Sequence, residues 1–372
     1  MIKLSLPDIG DEELAEIKKV FDSKYLVQGD YVENFERQIK NFLDCKYVFA
    51  VSSGTAALHL ACLALNIEPG QKVIVPDFTF PATANVVEVC GAQAVFSDIS
   101  SRSFCLNTEE EYLYKLENLI DDKTKAIIPV HEFGYPVDME KILNLSLKHN
   151  LYIIEDAACA LGSKYKDQFT GTLGNIGCFS LHPRKAITTG EGGIVVTNDD
   201  KLAEKIRALR NHGILYENLK PSFKYAGLNY RMTNIQGAIG TIQFKKFDKL
   251  MQTRKQIVEW YFNLLKDEPN ITLPAEPEYG IHTWQTFHIL INDKYNRNDM
   301  INYMKENGVE CNYGANALHI EPYFRDKYNY IPDDFPNSTK AYQHGLALPL
   351  HFKVKYEDVE YIVSKIKSFF YK

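Results

Sequence analysis

Lys185 stands in the stretch FSLHPRKAITTGEGG, residues 179–193, behind a short β-rich run and ahead of two threonines and a glycine cluster. An ammonium group in such company suits one of two chemistries. A phosphate-gripping loop needs its glycines before the lysine, whereas Gly190, Gly192 and Gly193 come after it. The other chemistry is a Schiff base between the lysine amine and a carbonyl cofactor.

Two further motifs bear on that choice. SSGTAALHLA, residues 52–61, ends one apolar run and opens an amphipathic stretch, so the amides near Gly54 and Thr55 are expected at a helix N-terminus, where a phosphate is attracted. The plainer reading is a Ser/Thr N-cap on a buried helix. EDAACALGS, residues 155–163, ends another apolar run with two carboxylates, and Asp156 alone could simply cap a helix beginning there. Lys185 alone could be a solvated charge. Taken together, the three explain one another. Pyridoxal 5'-phosphate (PLP) needs a phosphate cup, a carboxylate on its pyridine nitrogen, an aromatic face and a lysine for its aldehyde. A free lysine has a pKa of about 10.4, so the site is expected to lower it.

These strings, with PDFTFPATANVV (76–87) and LNYRMTNIQGAIG (228–240), resemble the DegT/DnrJ/EryC1/StrS sugar aminotransferases. The likeness runs from LVQGDYVENFE (26–36) to the end of the chain. It implies the fold type I aminotransferase architecture, a homodimer with shared active sites, and transfer of an amino group from glutamate or glutamine to a nucleotide-linked keto-sugar for surface polysaccharide. Carried over by position, Lys185 corresponds to the Schiff-base lysine and Asp156 to the partner of the pyridine nitrogen. Phe80 corresponds to the aromatic on the ring, Gly54, Thr55 and Ser180 to the phosphate cup, and Asn229 to the asparagine reaching the neighbouring subunit's phosphate. Phe80 as core, Ser180 as a strand-end cap and Asn229 as a turn residue remain open alternatives.

Two departures stand out. Cys159 occupies the place beside the cofactor's phenolic oxygen where many members have Gln, His or Glu, and a thiol is a poor hydrogen-bond partner. NYGANALHIEPYF (312–324) keeps His319 but lacks a Pro-Leu pair common in nucleotide-sugar members, which opens a small phosphorylated ketone such as dihydroxyacetone phosphate as the alternative substrate. His182 and His319 are substrate candidates or packed histidines. Arg184 and Arg231 could hold a substrate carboxylate or phosphate, or form surface ion pairs. Two rival readings are a PLP-dependent sugar dehydratase, in which histidine replaces the lysine, and a non-catalytic PLP-binding regulator.

The elements that must position these residues are legible as apolar runs. YVFAVS (47–52), KVIVP (72–76), QAVFSDI (93–99), KAIIPVH (125–131), LYIIEDA (151–157), CFSLH (178–182) and GGIVVTN (192–198) are seven candidate strands, most of them buried on both faces. Amphipathic helices fit between them at 55–65, 79–90 and 138–149, which predicts an α/β fold with a mostly parallel sheet. Helices are expected at 201–211, 233–268, 297–307 and 356–370, and a long polar and aromatic loop at 323–336. This pattern divides the chain into a large domain over 1–250 and a smaller α+β domain over 251–372. The 372 residues carry a net charge of −6 with acids and bases interspersed, which argues against nucleic acid. No run reaches the roughly 18 apolar residues of a membrane span, and a cytoplasmic protein is expected. The seven scattered cysteines form no C-x-x-C pair. HEFGY (131–135) is only half of a zinc-protease motif, because Tyr135 stands where the second histidine would be, so no metal site is expected.

Overall fold

The computed structural model describes residues 1–218 and 220–371. All seven apolar runs become strands of one sheet: β1 Tyr47–Val51, β2 Lys72–Pro76, β3 Gln93–Ser97, β4 Thr124–Ile127, β5 Tyr152–Asp156, β6 Ile176–Ser180 and β7 Gly193–Thr197. Their order across the sheet is β1-β7-β6-β5-β4-β2-β3. The neighbours from β6 to β3 pair in parallel, and β7 alone runs antiparallel to both β1 and β6. The fourth strand ends earlier than KAIIPVH suggests. Pro129 has no amide to donate, and Val130 keeps only an isolated bridge to Asp156.

Helices Gly54–Ala64, Ala82–Val89 and Met139–His149 fall where the apolar spacing places them, within a turn. The helix expected over 233–268 is two, Asn234–Lys245 and Phe247–Leu265, broken at Lys246, whose ammonium pairs with buried Glu13 at 2.7 Å. A separate core gathers Ile257, Tyr261, Phe287, Leu346 and Ile362 from the C-terminal third. The first residues join that part: Ile2 bridges to Val309, and the Leu350 amide donates to the Leu4 carbonyl at 3.1 Å. No helix among the described residues is long and apolar enough to cross a membrane.

One expectation is overturned here. Residues 323–336 are not an open loop but belong to a helix at Pro322–Tyr328, a short turn at Pro332–Asp334 and the start of a helix at Pro336–His344. The aromatic residues explain it: Phe324, Tyr330 and Phe335 pack their rings on Phe96, with centroids at 5.1, 5.2 and 6.3 Å. The polar residues between them mark a solvated face.

Candidate active site

The C-terminal ends of β5 and β6, the entry to the helix at Gly54, and residues of the C-terminal part enclose a cavity of about 610 Å³. That size suits a small-molecule or cofactor site. Ser53 caps the helix by accepting a hydrogen bond from the Ala56 amide at 3.0 Å, and the first amides of a helix have no intrahelical acceptor. A Cβ on Gly54 would lie 2.9 Å from the Ser180 Cβ and 3.2 Å from its Oγ. Glycine therefore lets the helix entry and the end of β6 approach each other, which brings Gly54, Thr55 and Ser180 to one edge of the cavity. Ser180 also accepts from the His182 amide at 3.3 Å, so its role as a local cap and its place in the cup coexist.

Asp156 ends β5 and is 3 % exposed. Its carboxylate accepts from the Thr83 hydroxyl at 2.8 Å and from the Ala158 amide at 3.1 Å. Burial pushes its pKa up, against the pull of those two donors and of the Lys185 charge. A carboxylate that burial disfavours gains from a cation placed beside it. Phe80 is 69 % exposed on the cavity wall, which removes the alternative that it is plain core.

The hydroxyls after Lys185 hold its loop. Thr188 donates to the Leu181 carbonyl at 2.8 Å and Thr189 to the Glu191 carbonyl at 2.6 Å, while Arg254 donates to the carbonyl of Lys185 itself at 3.1 Å. The Lys185 ammonium donates to the Cys159 Sγ at 3.0 Å. Its pKa differs from expectation: burial lowers it, but Cys159, Glu132 and Asp156 together outweigh burial and raise it. The protein's own groups hold this amine protonated, and lowering it falls to a charge brought by a ligand. Cys159, half-buried in the cavity, is held above its ordinary value by burial, with Lys185 opposing.

His182 and Arg184 also line the cavity. Burial lowers the His182 pKa, with Glu191 opposing and the Lys185 and Arg184 charges reinforcing it. Three other candidates lie outside the cavity. His319 is fully buried, with Nδ1 2.6 Å from Asp77 and its ring stacked on Phe335, the packed-histidine alternative. Arg231 bonds to the Asn211 side chain and bridges to Val51, away from the cavity. Asn229 is exposed, bridging to Asn211. Glu132 is a site residue that the motifs did not reveal. It lies in the cavity wall, 5 % exposed, inside the HEFGY string whose only spacing signal concerns a metal.

PLP fits these residues on structural grounds: Gly54 leaves the close approach that a Cβ would fill, Asp156 is a buried carboxylate with a capacity for a cation, and Phe80 offers an exposed ring. When bound, PLP supplies an electron sink for carbanion chemistry.

A parallel-sheet α/β fold with a lysine and a buried aspartate at adjacent strand ends defines the class of PLP-dependent fold type I enzymes. The chain belongs to the DegT/DnrJ/EryC1/StrS aminotransferase family, whose sequence profile matches residues 7–367. It is similar to GDP-perosamine synthase of Caulobacter vibrioides, 35 % identical, covering 98 % of this chain and 97 % of that protein. It is also similar to the spore coat polysaccharide biosynthesis protein SpsC of Bacillus subtilis, 34 % identical, covering 98 % and 96 %. Among solved structures, Helicobacter pylori PseC, an aminotransferase involved in pseudoaminic acid biosynthesis, superposes with a TM-score of 0.92 at 29 % identity, covering 99 % and 98 %. The family is PLP-dependent, and the protein is a PLP-dependent aminotransferase.

Proposed function

We propose that the protein moves an amino group from glutamate or glutamine to a nucleotide-linked keto-sugar, in the cytoplasm, for surface polysaccharide synthesis. The observation that carries this reading is the cavity, whose 610 Å³ leaves room for more than a small ketone beside a cofactor. The names of the relatives support it. Gly314 and Ala315 line the cavity from the C-terminal part, and the Gly314 backbone, at φ 84°, cannot carry a larger residue: a Cβ there would meet His288 at 2.5 Å.

In this reading Lys185 would hold the cofactor through its aldehyde group and would carry the proton that leaves the donor's reacting carbon. Asp156 holds the ring nitrogen's proton, Gly54, Thr55 and Ser180 bind the phosphate, Phe80 orients the ring, and His182 and Arg184 face the substrate. The protein works as a homodimer. Asn229 is exposed and available to a second copy's phosphate, and Tyr25, Leu26, Val27, Tyr216 and Phe223 present apolar surface 44–72 % exposed.

Two experiments test the reading. Borohydride reduction of the purified protein should fix the cofactor on Lys185, and a label mapped to another lysine overturns the assignment. Nucleoside diphosphates should compete with the acceptor. If triose phosphate or inorganic phosphate inhibits and no nucleoside diphosphate does, a small phosphorylated ketone such as dihydroxyacetone phosphate replaces the keto-sugar.

A further inference from the structure

The turn His131–Tyr135 carries a carboxyl that none of the roles above uses. Glu132 shares the cavity wall with Lys185, Asp156 and Cys159, and its position is built rather than incidental. On one side of it, His131 bonds to the fully buried Glu155 at 3.0 Å and receives the Val137 amide at 3.1 Å. On the other, the Gln285 amide donates to the Phe133 carbonyl at 2.8 Å, and the Ser163 hydroxyl to the Gly134 carbonyl at 2.7 Å. Phe133 itself is held at φ 55°, ψ 8°, a left-handed conformation that a bulky residue adopts only when its surroundings force it. Gly134, at φ 94°, cannot carry a side chain there, since a Cβ would fall 2.5 Å from Thr283 Oγ1. The turn accepts conformational strain to aim one acid inward.

We propose that Glu132 is a further site residue that touches the amino donor: its carboxylate takes a proton from the donor's ammonium group as that group arrives beside Lys185. This rests on the transaminase reading of the site. One N–H bond of the ammonium breaks, one O–H bond forms on Glu132, and no electrons change hands; a free amine and a neutral carboxylic acid result. The proton is returned in the second half of the reaction, when the newly formed amine leaves as an ammonium ion. Each turnover therefore leaves Glu132 as it began.

The neighbouring groups are poorer acceptors. Lys185 is committed to the cofactor in this reading, and burial keeps the Cys159 thiol protonated. Asp156 is engaged by Thr83 and Ala158 and reserved for the ring nitrogen. Glu132 faces Lys185, Asp156, Cys159 and the Thr79 hydroxyl on the cavity side; Cys105 lies against it, and Arg102, His282 and His288 line a smaller neighbouring pocket that Glu132 also borders. Burial pushes its pKa up to about 7, with Lys185 pulling down and Asp156 pushing up. An acceptor of that strength works best near neutral pH.

The test uses the PLP-loaded protein, wild type, Glu132→Gln and Glu132→Asp, mixed with L-glutamate or L-glutamine and no keto acceptor, while the cofactor's visible absorbance is followed. Wild type should bleach at a rate that falls about tenfold per pH unit below about pH 7. Glu132→Gln should bleach at least about tenfold more slowly near neutrality, lose that acid limb, and recover towards high pH as the donor deprotonates itself. Glu132→Asp should restore part of the rate with a displaced limb. Independently of turnover, the infrared carbonyl band of a protonated carboxyl should vanish on passing about pH 7 in wild type and be absent from Glu132→Gln. A Glu132→Gln variant with the wild-type rate and profile overturns the proposal. Should that variant not fold, an unmoved acid limb in Glu132→Asp overturns it equally. A wild-type protein that shows no visible band, or that neither donor bleaches, instead overturns the transaminase reading.

Discussion

Replacing Glu155 by Gln exchanges one oxygen for an NH₂ group behind the active site, and its cost can be worked from the hydrogen bonds. The carboxylate is fully buried. One oxygen accepts the amides of Leu173 at 2.7 Å and Gly174 at 2.6 Å; the other accepts the Gly171 amide at 2.7 Å and His131 Nε2 at 3.0 Å. The Val137 amide donates to His131 Nδ1, so the ring proton of the neutral imidazole sits on Nε2 and that contact is a fourth donor. A glutamine supplies one acceptor oxygen. Whichever way its amide turns, two donors face an NH₂ group and lose their acceptor. Each buried orphan costs about 1–3 kcal/mol, or about 4 kcal/mol for the pair. An unfolding entropy of about 2.1 cal/mol/K per residue gives this chain about 0.8 kcal/mol/K, so the Tm should fall by about 5 °C. Calorimetry on apo and PLP-loaded protein should give similar drops, because the damage lies in the scaffold. A Tm within about 1 °C of wild type would refute the reasoning.

Gly54→Ala should weaken PLP retention about tenfold or more, measured by equilibrium dialysis, because the new Cβ collides with Ser180; unchanged retention would remove this close approach from the phosphate cup. His288 is buried with neither ring nitrogen partnered among the described residues, and burial, aided by Arg297, pushes its pKa down to about 3. Below about pH 6.5 the unfolded chain therefore binds a proton that the folded chain refuses, and stability falls on acidification at up to about 1.4 kcal/mol per pH unit. His288→Phe should flatten that acid slope in denaturant titrations, and an unaltered slope would show that His288 is not its source. Inactive Asn229→Ala and inactive Lys185→Ala protomers should regain activity when mixed, since one site of the hybrid is intact; no recovery after verified subunit exchange speaks against sharing through Asn229.

Those parts of the protein that depend on local chain chemistry were legible in the sequence. Seven apolar β-rich runs identify the strands, because a strand covered on both faces must be apolar throughout. Asp156 ends one such run and Gly54 and Lys185 stand close behind others, and strand ends are where an α/β sheet assembles a ligand site. The features beyond reach depended on which distant surface each side chain meets. Residues 323–336 read as a loop until Phe96 was there to receive their aromatics. His319 stayed open between substrate contact and packed histidine because its partner, Asp77, lies 242 residues away in the chain, and Arg231 between substrate and surface pairing because nothing local reveals its bond to Asn211. Glu132 directly follows the run KAIIPVH, but its only motif signal, half of a zinc-protease string, pointed to a metal. Its inward aim comes from a turn with a left-handed Phe133, in which Glu155 holds His131, Gln285 holds Phe133 and Ser163 holds Gly134 through contacts far apart in sequence. Spacing records periodicity along one element, whereas burial, partner and pKa are set by the elements that pack around it, and only the tertiary structure brings those together.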